Sequence, residues 1–316
     1  MEIKLLFIAL LASLLIACGE DDNMELKPIP PAEPEQPEKP VDPETPIVLP
    51  STENLIKTGN MIIGTNEWYG IAYGNGKYVA VGEKGYTTTS TDGVNWTTPK
   101  TDGGWKSLSG IAFGKGKFIT GSSTVAGTIM SSTDGNTWTT VANISNSSLN
   151  DFRYVNDLFF VDSANGYSYV SADGITWEQI NSPRLIAGIA YNNGLYVAVC
   201  YGGIIATSND GKVWTLYTLD NTAWQDVAYG NGKFVAIGAK GLLTTSVDGQ
   251  SWATPVQVVS ISWSFLIYKD GMFVAISQNG YMTTSSDGET WTEPVQMKDE
   301  TGNNVTFYIQ AMIAMQ

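Results

Sequence analysis

The sequence predicts an all-β chain, a β-propeller of four-stranded antiparallel blades, on three observations. The pattern Ser-x-Asp-Gly-x-x-Trp occurs six times, with its aspartates at Asp92, Asp134, Asp173, Asp210, Asp248 and Asp287. Their spacings are 42, 39, 37, 38 and 39 residues, and one turn per period of about forty marks a repeat built from small sheets. Each period holds four strand-like runs, and no helix-period stretch competes with them after residue 55.

In chain order, residues 1–17 read as a lipoprotein signal peptide. A short charged start precedes the apolar run Leu5–Ala17, which is too short to span a membrane comfortably and has the length of a signal core. The run ends Leu15-Ile16-Ala17-Cys18, which resembles the lipobox of bacterial lipoproteins. The resemblance implies that Cys18 becomes the acylated N-terminus, with palmitate among its lipids. The Gly-Glu-Asp-Asp that follows looks like an acidic surface-export signal, so the implied location is the outer membrane, facing the cell surface.

Residues 18–54 form the lipidated cysteine and a tether. Nine of the chain's thirteen prolines fall in 23–50, five of them at three-residue steps from Pro34 to Pro46. That density favours extended polyproline backbone, reaching about 70 Å over Pro28–Pro50, and predicts a spacer that lifts a domain off a membrane. Half of the net charge of −14 lies between residues 19 and 50. Without a basic stripe, nucleic acid is an unsuitable partner.

Residues 55–316 are the propeller. In 224–255, a first strand ends in Gly230-Asn231-Gly232-Lys233, a strong two-residue hairpin signal. A second strand, a Gly-containing loop, a third strand, the Asp-Gly turn and a fourth strand through Trp252 complete the blade. Equivalent hairpins fall at Asn75-Gly76, Lys115-Gly116, Asn156-Asp157, Asn193-Gly194 and Asp270-Gly271. The residues left across the seam predict seven blades, the last incomplete and built from both termini, with six as the alternative. Val305–Ala314 reads as a first strand and Leu55–Gly64 as outer strands.

The repeated aspartates read as turn locks rather than catalysts, because a carboxylate two residues after a serine accepts backbone N–H bonds. The tryptophans that follow, Trp96, Trp138, Trp177, Trp214, Trp252 and Trp291, would each bury an indole worth roughly 4–6 kcal/mol gross. The pattern resembles the Asp-box (BNR) repeat of sialidase-like propellers, which implies a fold and a turn but no ligand. In that family a residue separates Asp from Gly; here the two are adjacent in all six copies.

Sialidase activity does not follow. That family's carboxylate clamp uses three arginines, and this chain has two, Arg153 and Arg184. With no histidine and, beyond Cys18, only Cys200, there is no His general base, His metal site or expected cofactor. Asp151, Asp157, Asp162, Asp226 and Glu178 are the acids a glycoside hydrolase or lyase would recruit. Trp68, Trp224 and Trp263 stand at one strand position, five residues before the aromatic that closes strand one. With Trp105 they are the expected ligand-stacking residues on the face that carries the strand 2–3 loops. Those loops add Glu83, Lys84, Asp162, Tyr201, Lys240 and Gln278. Three functions fit: a surface-displayed, non-catalytic binding module for glycan or protein, a carboxylate-dependent hydrolase or lyase, and an assembly subunit of an envelope complex.

Overall fold

A computed structural model of the chain describes residues 5–9, 27–28, 58–59, 67–101, 107–123, 127–144, 147–180, 186–219, 222–298, 304 and 309–314. They form six antiparallel blades in a ring, a β-propeller. The first strands are Trp68–Gly74, Leu108–Gly114, Leu149–Val155, Ile186–Asn192, Trp224–Gly230 and Phe265–Lys269. They are innermost, each of the first five beside the first strand of the next blade. Second and third strands follow outward, and the fourth strand of blade 1 is reduced to a Thr87–Lys100 bridge.

All six predicted hairpins form. Each has positive φ at both central residues, as at Asn231 (45°) and Gly232 (81°), the mirror-image turn whose twist matches the strands. Across every hairpin an aromatic pair packs with ring centroids 4.5–4.8 Å apart, from Tyr73–Tyr78 in blade 1 to Tyr268–Phe273 in blade 6.

The Ser–Asp–Gly hydrogen bonds of the turn recur in every blade, whereas the tryptophan's bond back to the glycine carbonyl forms in blades 1, 5 and 6, and the Nε1 groups of Trp138, Trp177 and Trp214 are buried without a partner among the described residues. In blade 5, Ser246 Oγ donates to Asp248 Oδ1 at 3.0 Å and accepts Gly249 N–H at 2.8 Å. The same Asp248 oxygen accepts the N–H groups of Gln250 and Ser251, both at 2.7 Å. Trp252 Nε1 donates back to Gly249 O at 3.1 Å. The glycine also serves the neighbouring blade: a Cβ on Gly249 would stand 2.6 Å from Val197 of blade 4, and one on Gly288 2.6 Å from Val235 of blade 5. Each turn is therefore wedged against the second strand of the blade before it. These donors hold the carboxylates below the ordinary range, to about 2 for Asp134 and Asp173.

At the seam, Ile309–Ala314 lies beside the first strand of blade 1 and also touches that of blade 6. It pairs antiparallel with Leu5–Ala9, which in turn pairs parallel with Thr58–Gly59. This three-stranded, mixed sheet is not an antiparallel four-stranded blade, and the expected count of seven is corrected to six. A blade needs consecutive hairpins on one stretch of chain, and these three strands come from three distant stretches. Lys27–Pro28 of the expected tether pairs parallel with the outer strand of blade 4, Thr215–Thr218. The other residues of the signal and tether segments lie outside the described residues.

Candidate functional site: the joint between blades 3 and 4

The leading tryptophans do not form a site. Trp68 is 3 % exposed, and Trp224 and Trp263 are 0 % exposed. Trp224 packs among Val197, Val199 and Ile205 of blade 4, and Trp263 against Val235 and Ile237 of blade 5. Leu108, Leu149 and Ile186, their counterparts, are buried as well, so indole and aliphatic side chains fill the same gap between blades. This corrects the expectation of a stacking surface. Trp105 lies outside the described residues.

The ring departs from its repeat at one joint. Four residues into the first strand, most blades carry alanine: Ala72, Ala112, Ala190 and Ala228. Blade 3 carries Arg153 there. On the second strand, two residues beyond the cross-strand partner Phe160, buried Val81, Val199, Ile237 and Ile276 give way to Asp162 in blade 3. Both departures face blade 4. Arg153 Nη1 reaches Asp162 Oδ2 at 3.4 Å, while Nη2 donates to Ile186 O at 2.9 Å and Ala187 O at 3.1 Å. Nη2 also lies 3.0 Å from Asp151 Oδ2. Ser168 donates its hydroxyl to Asp162 Oδ1.

Packing records the cost in space. In blades 1, 2 and 5 the first strand ends in glycine, over which the next blade's aromatic lies; a Cβ on Gly74 would stand 2.2 Å from the Phe113 ring. Blade 3 has Val155 at that position. With Val155 and Arg153 between them, the first strands of blades 3 and 4 meet at few points, whereas those of blades 1–2, 2–3 and 4–5 pack along their length.

Electrostatics tie three of the five candidate acids to Arg153. Burial opposes the guanidinium charge, and Asp151, Asp162 and Asp226 outweigh it, holding Arg153 above its ordinary value. Burial pushes Asp162 up, and Asp226 up to about 7. Asp226 accepts Val227 N–H and Leu266 N–H, each at 2.8 Å, so its carboxylate links blade 5 to blade 6. It also presses on blade 4, where a Cβ on Gly188 would stand 2.4 Å from its Oδ1. The other two acids lie elsewhere: Asp157 pairs with Lys115 at 2.8 Å, and Glu178 pairs with Lys212. Burial raises the Cys200 thiol well above its ordinary pKa, as suits a buried core residue beside this joint.

Two exposed tyrosines flank the joint on the face of the strand 2–3 loops. Tyr167 of blade 3 is 49 % exposed and Tyr201 of blade 4 is 48 % exposed. The Asp151 side chain, 61 % exposed, is on the same end of blade 3. Tyr201 was among the expected loop residues; Tyr167 and the convergence on Arg153 were not foreseen. The signal for Arg153 is present in the aligned repeats, where an arginine breaks the alanine column and an aspartate breaks the aliphatic column of the second strand. Glu83 and Lys84 only pair with each other, at 2.9 Å. Among the described residues, no group of three or more His, Cys, Asp or Glu is placed to hold a metal ion.

The fold and this joint define a propeller with one polar, tyrosine-flanked sector. No family model matches the chain, and no curated protein matches it. Solved structures do resemble it. A structure of YCF48 bound to D1 peptide shares 16 % identity at a TM-score of 0.58, covering 72 % of this chain and 80 % of that one. YCF48 from Cyanidioschyzon merolae shares 15 % at 0.55, covering 75 % and 86 %. The WD40 propeller domain of Doa1 shares 9 % at 0.59, covering 79 % and 92 %. At these identities the likeness is one of fold.

Proposed function

We propose that this chain is a lipid-anchored, surface-displayed propeller that binds an extended protein segment at the joint between blades 3 and 4, without catalysis. One observation carries the reading: the ring's departure from its own repeat coincides with exposed tyrosines on the loops of the same two blades. Recurring side chains are spent on the fold, the box residues in turns and the leading tryptophans between blades. An exposed tyrosine also stands at the Tyr167 position of blade 6, as Tyr281 at 37 %, so what marks the blade 3/4 sector is tyrosine on both loops together with the polar joint. A YCF48 propeller with a bound peptide lends support by showing that such a ring accommodates one.

The chemistry narrows the partner. Tyrosine faces and a partly free Asp151 carboxylate on an acidic chain favour a segment that presents a basic side chain, through cation–π and charge attraction. A hydrolase or lyase would need a second carboxylate free beside Asp151 to act on substrate. Asp162 instead accepts from Ser168 and Arg153, and Asp226 from two backbone N–H groups. The anchor reading rests on the Leu15–Cys18 sequence, and cleavage before Cys18 removes the Leu5–Ala9 strand of the seam sheet from the mature protein. The seven-position reading of the seam is not retained.

Selection of a displayed random-peptide library on the purified protein tests the proposal, with a glycan array run beside it. The expected result is enrichment of peptides with basic residues whose binding falls at least tenfold in Tyr201→Ala or Tyr167→Ala. Binding only to glycans, lost in the same variants, would keep the site and reassign its ligand. Binding indifferent to both variants would overturn the site. For the anchor, Cys18→Ala is expected to abolish metabolic lipid labelling and membrane fractionation; unchanged fractionation would refute it.

A further inference from the structure

We infer that the outer edge of blade 4 is the side of the propeller turned toward the membrane, held there by pairing with Lys27–Pro28. The inference rests on the reading of Cys18 as the lipidated residue. Tyr217 pairs with Lys27 and Thr218 with Pro28, parallel, as a fifth strand on the blade 4 sheet. An outermost strand presents unpaired backbone groups that an extended segment can satisfy. Proline suits that place, because on an edge its missing N–H costs no ladder bond.

The consequence is a short leash. Between Cys18 and Lys27 the chain has nine Cα–Cα steps, which reach about 30 Å when fully extended. The proline-rich stretch is not part of this leash, because it follows Pro28 in sequence and so lies beyond the paired strand from the lipid. The spacer of about 70 Å expected from its composition therefore does not lie between lipid and domain. Residues 19–26 include Glu20, Asp21, Asp22 and Glu25, and an anionic leaflet repels such a run. The propeller stands on its blade 4 edge, and both faces of the ring open sideways rather than toward the bilayer.

Energy transfer measures this orientation. The full chain, expressed in a Gram-negative host and extracted from its membrane, is reconstituted into phosphatidylcholine vesicles that carry an acceptor lipid. A donor dye is placed through an azide-bearing residue at Val213 of blade 4 or at Val94 of blade 1, exposed at 74 % and 60 % in equivalent turns. Transfer is expected to be several-fold stronger from position 213 than from 94. Ten Gly/Ser residues inserted between Leu26 and Lys27 should abolish the difference, and the same ten inserted after Pro43 should leave it unchanged. Equal transfer from the two positions, or equal effects of the two insertions, would overturn the orientation while leaving the anchor standing. Absence of lipid on Cys18 would overturn both.

Discussion

The joint between blades 1 and 2 and the joint between blades 3 and 4 solve one packing problem in two ways. At the first, Gly70 lies against Gly110 so closely that a Cβ would stand 2.8 Å from its neighbour's Cα, and Ala72 meets Ile111 and Phe118. At the second, a guanidinium and a carboxylate replace alanine and valine, and the inner strands separate. Small apolar residues close a joint. A buried ion pair keeps one apart, because its groups need volume and hydrogen-bonding partners. The difference teaches where to look for function: the recurring residues of a repeat are read as scaffold, and its departures are what remain to be explained.

The comparison is sharpened most by breaking the ion pair. Arg153→Ala leaves Asp162 buried without its partner and should cost about 3–5 kcal/mol in urea unfolding. Arg153→Ala with Asp162→Val writes the regular joint into blade 3 and should recover most of that loss. Failure to recover would mean that the two residues do not act as a pair.

Next comes the wedge that every regular joint shares. Gly249→Ala meets both a positive φ of 74° and Val197 at 2.6 Å, and should cost about 2–4 kcal/mol. Gly232→Ala meets a φ of 81° but open space, and should cost only about 1–2 kcal/mol. Equal losses would show that the turn does not wedge against blade 4. Asp248→Ala should cost about 1–2 kcal/mol through its lost N–H acceptance, read as a lower unfolding midpoint.

Acidity separates the two regions by sign. Box carboxylates are depressed in the fold, so the stability they add is complete above the unfolded value of about 4 and is lost as pH falls toward 2. Asp226 is raised to about 7, so the fold holds its proton more tightly than the unfolded chain does. Its contribution therefore declines as pH rises from about 4 to 7 and is level above. Asp226→Gly, the residue that blades 1, 2 and 4 carry there, should remove that decline from a pH series of unfolding midpoints.

How much of this was legible follows from which contacts are local. The hairpins and the repeated Asp-Gly turns are fixed within seven residues by Asn-Gly, Ser, Asp and Gly chemistry, and their positions and turn hydrogen bonds follow from the local sequence. The leading tryptophans were misread because burial there is decided by side chains of the adjoining blade, such as Val197 for Trp224 and Val235 for Trp263. Arg153 was noticed only for the motif it fails to complete. Asp162 reaches it across the hairpin of its own blade, but Ile186 and Ala187 are brought to it by blade packing, which no spacing along the chain expresses. The blade count failed at the seam, where three distant stretches meet and no repeat motif marks the register.

The central claim is that repeated residues hold the ring and the blade 3/4 sector binds. One panel tests it directly: Tyr201→Ala and Tyr167→Ala beside Asp248→Ala, each measured for unfolding midpoint and for affinity to the selected peptide. The account predicts that the two surface variants stay within about 0.5 kcal/mol of the parent in stability and lose binding. It predicts that Asp248→Ala loses stability and retains affinity while folded. The opposite pattern, binding lost at Asp248 with an unchanged melting curve, would contradict the account and place the function in the repeated turn.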